Sequence, residues 1–447
     1  MKTIYKAILC SVLLSPAALP VLAQEQQLSL QEAKELALQN NQGMQIQRLE
    51  QKKAAESVKE AKSFLLPRLT WNNDYTFYAD KAVIFMPGAF TETPDRSVVD
   101  LAVGGRHAFN SSVSLSQPVQ MNGLRKQVKA ASLTAELEEV KTAAKQSELL
   151  YEVSVQYLQA LILQEQLRLQ QQSLQRNLNA LADSRALYMQ GRNYKTDTLR
   201  NYIAAENLQA TVLYLTSQVE LSKSNLKRLV GINTGTAILL SDEISAVETN
   251  LMQVTDQKQA LQTALEKRTD LRALKVNLLN SQNTISLIQS EKIPKIWLTG
   301  QYQLQAQADD LRLGQYTWPA TSFAGAHIAV PIFAGNRINF KQNQAKITMQ
   351  QHTLAISELE RKVENELFSV FNSLKEAESR LAIQERTVDA AELGFQMAED
   401  RYKQGLGSRL ELADAELALT QAKANQLQAL YQVKVYQLEL QKAMGLL

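Results

Sequence analysis

Cysteine is almost missing from this 447-residue sequence: the single copy is Cys10. Its place near the start excludes a disulfide framework and a thiolate metal site in the body of the chain. Proline and glycine are scarce, at nine and sixteen copies, and no proline falls between Pro118 and Pro294 or after Pro331. A proline inside a helix costs about 3 kcal/mol, so those two tracts are free to be helical throughout. The three histidines, His107, His327 and His352, have no metal-ligand spacing. No glycine-rich phosphate loop follows a strand pattern, and Asp309-Asp310 reads as loop solvation. The sequence therefore offers no catalytic constellation, no metal site and no cofactor motif, and an enzyme is not expected. No stretch holds the roughly 20 apolar residues that cross a bilayer as a helix.

The charge balance is also nearly empty. Lys2 and Lys6, the apolar run Ala7 to Leu14, and Val21-Leu22-Ala23 before Gln24 form a secretory signal over residues 1–23. A short amino-terminal membrane anchor is the alternative for that segment. Removing the signal takes 48 basic residues to 46 (48 − 2) against 45 acidic ones. Such neutrality argues against a nucleic-acid role.

What is present is a duplication. Tyr188-x-x-Gly191 returns as Tyr402-x-x-Gly405, and Leu229-Val230-Gly231-Ile232 as Ala443-Met444-Gly445-Leu446, both at one offset (405 − 191 = 445 − 231 = 214). Gln117-Pro118-Val119 is echoed by Val330-Pro331-Ile332 (331 − 118 = 213), whereas Pro67 matches Pro294 at 227 (294 − 67). The first of two repeats, 24–250, and the second, 251–447, thus differ by a longer first hairpin loop. Each runs as a helix, an alternating hairpin (about 68–119 and 295–332) and a long helical hairpin (about 124–230 and 336–444). The leading helices are expected from Ser29, an N-cap with Glu32 three residues on, to about Phe64, and from near Asp256 to Pro294.

The hairpins alternate with period 2. Leu69, Trp71, Tyr75 and Phe77 stand against Thr70, Asn72, Asp74 and Thr76; Val113 and Leu115 continue the apolar face. Ile296, Leu298 and Tyr302 repeat it in phase, followed by Ile328 and Val330. Apolar-faced strands of this length fit an outer-membrane barrel, or the half-buried sheet of a soluble domain. Four strands cannot close a barrel, and lipid tolerates no open edge, so membrane strands would require several chains; three would supply twelve. Between the hairpins, Leu124 to Gln190 is an uninterrupted helical tract extending about 100 Å. Leu133, Leu137, Val140 and Ala144 mark one packing seam on it, and Leu163, Leu167, Leu174 and Leu181 another.

With signal, duplicated strand pairs, coiled helices and Tyr-x-x-Gly turns together, the chain resembles the TolC-like outer-membrane efflux protein family. The resemblance implies a mainly α fold with a small β part. Duplicated coiled-coil hairpins and four transmembrane strands would build a trimeric 12-strand β-barrel continued by a 12-helix periplasmic α-barrel. It implies an outer-membrane location reaching into the periplasm, and a passive duct serving a periplasmic adaptor protein and an inner-membrane pump, for efflux or type I secretion. The family's adaptor-contact tips match Gln190, Gly191 and Arg192 with Gln404, Gly405 and Leu406. Its acidic aperture ring matches Glu411 and Asp414; its gate latch matches Tyr402 and Asp197. The latch arginine position is Gly407 here, which makes Arg409 and Arg200 the candidates. An exported coiled-coil scaffold without a pore is the alternative, and it leaves the in-phase strands without a purpose.

Overall fold

The computed structural model describes residues 26–87, 90, 98–192, 194–244 and 256–447. The signal segment 1–23 and Asn193 lie outside the described residues. In chain order the first half runs β1 (Gln26–Leu28), α1 (Leu30–Asn40), α2 (Gln42–Ser63), β2 (Arg68–Phe77), β3 (Ala82–Met86), β4 (Val99–Val103), β5 (His107–Pro118), α3 (Asn122–Met189) and α4 (Lys195–Val230). The second runs β6 (Ile238–Leu240), α5 (Gln257–Lys267), α6 (Thr269–Ser290), β7 (Lys295–Ala308), β8 (Ala320–Ala329), α7 (Arg337–Lys403) and α8 (Arg409–Ala443). Two compact units result, one of residues up to Ile46, Lys145–Lys267 and Val363–Leu447, the other of Gln47–Ala144 and Arg268–Lys362.

The capping box forms as its spacing predicts: Glu32 N–H donates to Ser29 Oγ, and Ser29 N–H donates to Glu32 Oε2 at 2.9 Å. The continuous leading helix does not form. Asn41 adopts an extended conformation (φ −62°, ψ 123°) between α1 and α2. Its side chain explains the break, because Oδ1 accepts from Met44 N–H at 3.1 Å while Nδ2 donates to the Leu229 carbonyl at 2.9 Å. The second leading helix breaks at the equivalent residue, Arg268 (φ −61°, ψ 128°; 268 − 41 = 227). The duplication thus extends to a break that hydropathy does not mark.

In the first unit, the middle of α3 supplies the core. Leu149, Val153, Tyr157, Leu158 and Ile162 are buried with Leu28, Ala33, Ala37, Leu226, Val230 and Leu438, each large side chain contributing about 1.5–3 kcal/mol. The buried Tyr157 hydroxyl lies 2.9 Å from both the Leu28 carbonyl and Asp242 Oδ2, and Leu30 N–H donates to the same carboxylate oxygen at 2.8 Å. Burial, reinforced by the hydrogen bond to Asp242, pushes the phenol well above its ordinary pKa. These contacts seat β1, which pairs in parallel with β6. That two-stranded sheet escaped the sequence because three-residue strands carry no readable alternation.

The seam from Leu133 to Ala144 is partly as expected, with Leu133 and Val140 buried. The one from Leu163 to Leu181 is different: of Leu163, Leu167, Leu174 and Leu181, only Leu181 is buried, and it lies in a stripe with Ser173, Asn177 and Ser184. Hydrogen bonding redirects this face. Asn201 Nδ2 donates to the Ala180 carbonyl at 3.2 Å, and Thr198 Oγ1 to the Ser184 carbonyl at 3.4 Å.

In the second unit, the two hairpins join into one antiparallel sheet ordered β2-β5-β7-β8. The register sets Leu69 opposite Leu115, Trp71 opposite Val113, and Val113 in turn opposite Tyr302. The expected apolar residues therefore share one face. Val330 is the exception in location, falling one residue beyond β8 because the strand ends at Ala329. The longer first hairpin is not all loop: β3 and β4 pair as a separate two-stranded extension.

Candidate functional site

Two features concentrate the chemistry. The first is the sheet face. Leu69, Trp71, Tyr75, Val113, Leu115, Leu298, Tyr302, Ile328 and Val330 are all exposed, with Trp71 reaching 71%; Ile296 is half-buried. Exposed apolar patches beyond a few hundred Å² mark membrane or partner surfaces. Polar tips on this face are paired internally, with Trp71 Nε1–H donating to Ser111 Oγ at 3.1 Å and Tyr75 Oη lying 2.9 Å from His107 Nδ1. Near the Phe77 end of β2, Tyr75, Phe77, His107, Phe109, Tyr316 and Trp318 stand in ring contact, the composition of an aromatic girdle at a membrane interface. The opposite face carries amides and hydroxyls: Asn72 pairs with Ser112, which pairs with Gln303.

The sheet has two open edges. β2 and β8 are each 10 residues long and run antiparallel to one another, since every neighbouring pair in the order alternates direction. An edge strand leaves a row of unpaired backbone groups, costing several kcal/mol each in lipid.

The second feature is the pair of helical turns in the first unit. Gly191 and Gly405 close α3 and α7 at φ 72° and 74°, a left-handed conformation that costs other residues about 1–2 kcal/mol. Each turn makes the same bonds. Arg192 N–H donates to the Leu187 carbonyl, and Leu406 N–H to the Arg401 carbonyl, both at 2.9 Å. Gln190, Gly191, Arg192, Gln404, Gly405 and Leu406 are all exposed. Exposed Met189 and Tyr194 flank the first turn. They were absent from the expected tip residues, although an apolar residue on each side of a turn was a visible signal.

Glu411 and Asp414 are both exposed in the first turns of α8, three residues apart and so on one face. Ser408 caps that helix, its Oγ accepting from Glu411 N–H at 3.1 Å. Of the latch candidates, the fold joins Arg409 to Tyr402, the guanidinium lying 5.8 Å from the ring centroid. Glu411 pairs instead with Arg401 at 3.4 Å. Asp197 sits in the first turn of α4 and Arg200 is exposed on it. Among the described residues, no hydrogen bond or ion pair joins either to Tyr402, Arg409, Glu411 or Asp414. The most heavily bonded carboxylate near the turns is one that the sequence reading passed over, the buried Glu416, which accepts from Arg176, Asn177 and Ser173.

Long helical hairpins with a four-stranded apolar-faced sheet define an architecture shared with known channels. The pattern of the family described as outer membrane efflux protein matches residues 33–232 and 260–446. The chain belongs to the outer membrane efflux protein family. The alkaline protease secretion protein AprF of Pseudomonas aeruginosa is 22% identical over 402 residues, 88% of this chain and 80% of AprF. The outer-membrane channel OprN matches with a TM-score of 0.75 at 18% identity, covering 93% of this chain and 89% of OprN. The outer membrane protein VceC of Vibrio cholerae matches at 0.72 and 18% identity, covering 93% and 96%. The fold is therefore the channel fold, and the protein is an outer-membrane efflux protein.

Proposed function

We propose that three copies of this chain form a passive duct through the outer membrane. The observation that carries this reading is the sheet with one apolar face and two free edges of equal length. β8 of one copy meets β2 of the next in antiparallel register, and closure into twelve strands removes every edge from lipid. The polar face then lines the lumen. Of its residues, Asn72, Asn110, Ser112, Gln303 and Gln305 are neutral, while Asp74 opposite Asn110 carries a negative charge and Arg68 and Lys295 carry positive ones at the starts of their strands. The chain does no chemistry of its own; it conducts.

The body of the protein is two structural repeats, 24–250 and 251–447, and their Gly191 and Gly405 turns are the periplasmic tips. A periplasmic adaptor protein docks there and couples the duct to an inner-membrane pump. Glu411 and Asp414 from three copies ring the aperture with six carboxylates, a field that draws cations. The secretion role in AprF's name makes an exported polypeptide one cargo class to test beside small molecules. Photocrosslinkers placed at Gly191 and Leu406 are expected to capture a periplasmic adaptor in cells; capture from strand positions alone contradicts the tip assignment. Replacing Glu411 and Asp414 by Ala is expected to lower cation selectivity, and unchanged selectivity removes them from the aperture.

A further inference from the structure

The turns differ in how their following helices are fastened. Glu416 is 5% exposed, and its Oε1 accepts from Arg176 Nε at 2.8 Å, Asn177 Nδ2 at 3.2 Å and Ser173 Oγ at 3.3 Å. All three donors stand on α3, so a buried charge joins α8 to α3 across the hairpins. By contrast, α8 meets its own hairpin mate α7 through the exposed pairs Arg401–Glu411 at 3.4 Å and Lys423–Glu392 at 3.5 Å, of a kind contributing about 0–1 kcal/mol. Only the carboxylate end of the α3–α8 joint is buried, the Arg176 side chain being 39% exposed, so it is the loss of the donors that would leave a buried charge uncompensated.

The duplication shows where no such joint exists. At the 214 offset Glu416 becomes Tyr202, while Ser173, Arg176 and Asn177 become Thr387, Ala390 and Ala391. Neither alanine can donate, and Thr387 Oγ1 is occupied with the Ile383 carbonyl of its own helix at 2.9 Å. Tyr202, Thr387 and Ala390 are exposed on the single chain. In a ring of alternating repeats, the α3–α8 seam within one copy maps onto the seam between α7 of that copy and α4 of the next. The ion joint is thus present in one of two pseudo-equivalent seams.

We propose that Glu416 is a gate-positioning residue that clamps α8 to α3 within each copy, so that the duct opens by parting the α7–α4 seam between copies. This rests on the trimeric duct described above. Because the only cysteine is Cys10, cysteine pairs introduced into the mature chain report cleanly. In planar bilayers, Glu416→Ala and the milder Glu416→Gln are expected to raise basal conductance of heat-resistant trimers, and R176E/E416R to bring it back down. Oxidised Ser173→Cys/Glu416→Cys, a covalent copy of the clamp, is expected to conduct as wild type. Oxidised Tyr202→Cys/Thr387→Cys is expected to lose conductance and regain it on reduction. Wild-type conductance in intact Glu416→Ala trimers, or the reverse pattern of the two disulfides, overturns the clamp. A silent wild-type trimer instead overturns the duct itself, and the clamp with it.

Discussion

Tyr157→Phe isolates one hydroxyl in the most buried part of the chain. The ring is fully buried, and Phe fills the same space, so no cavity forms. What is lost is the proton shared between the Leu28 carbonyl and the Asp242 carboxylate, each 2.9 Å away. Hydrogen bonds to charged groups contribute about 1.5–3 kcal/mol. A loss of about 2 kcal/mol lowers Tm by about 4–8 °C in a large domain. The effect is local as well as global, because Asp242 also holds Leu30 N–H at 2.8 Å. Hydrogen exchange followed by mass spectrometry is expected to show faster exchange in β1, β6 and the start of α1, with the turns at Gly191 and Gly405 unaffected. Tyr157→Phe combined with Asp242→Asn is expected to cost less than the sum of the two. Unchanged exchange in β1 together with additive losses refutes the claim that this triad seats the strand.

Three further outcomes follow from the same structure. Gly231→Ala places a Cβ 2.8 Å from Asn40 backbone atoms at φ 79°, whereas at Gly191 a Cβ meets nothing within 4 Å. Thermal melts are therefore expected to show a loss near 1–2 kcal/mol for Gly191→Ala, from the backbone conformation alone, and a larger one for Gly231→Ala. On the sheet, Trp71→Lys puts a charge on the apolar face, at about 2–4 kcal/mol near the bilayer midplane. Insertion into liposomes is expected to fall for Trp71→Lys and to persist for Asn72→Lys on the opposite face. The Glu32 carboxyl is held below its ordinary value near 4.5, first by the Ser29 backbone N–H and then by the Ser29 hydroxyl. A carboxylate with a depressed folded pKa stabilises above its unfolded value and loses that contribution as pH falls through the folded one. Exchange at the start of α1 is thus expected to quicken below about pH 4.5 in wild type, but not in Glu32→Gln.

The long elements were legible because their signals are long. Proline-free tracts delimit α3 and α7, the glycines at 191 and 405 end them, and period-2 alternation marks the four sheet strands. The capping box at Ser29 could be read from two residues. What could not be read depends on contacts distant in the chain. Asn41 breaks its helix by bonding Leu229, 188 residues away. The polar stripe of α3 is set by Ser173 and Asn177, which look solvated until Glu416 arrives from α8. Hydrophobic seams are found by looking for leucines, so a polar seam at similar steps passes unnoticed. At the tips, glycines located the turns, but charge type alone did not assign partners: Glu411 goes to Arg401, a residue outside the expected set.

Reconstitution of the purified protein into planar bilayers tests the central claim most directly. The expected result is a heat-resistant trimer whose single-channel steps are ohmic and cation-selective, with selectivity lowered in the Glu411→Ala/Asp414→Ala protein. A monomer that stays in solution without detergent and passes no current contradicts it.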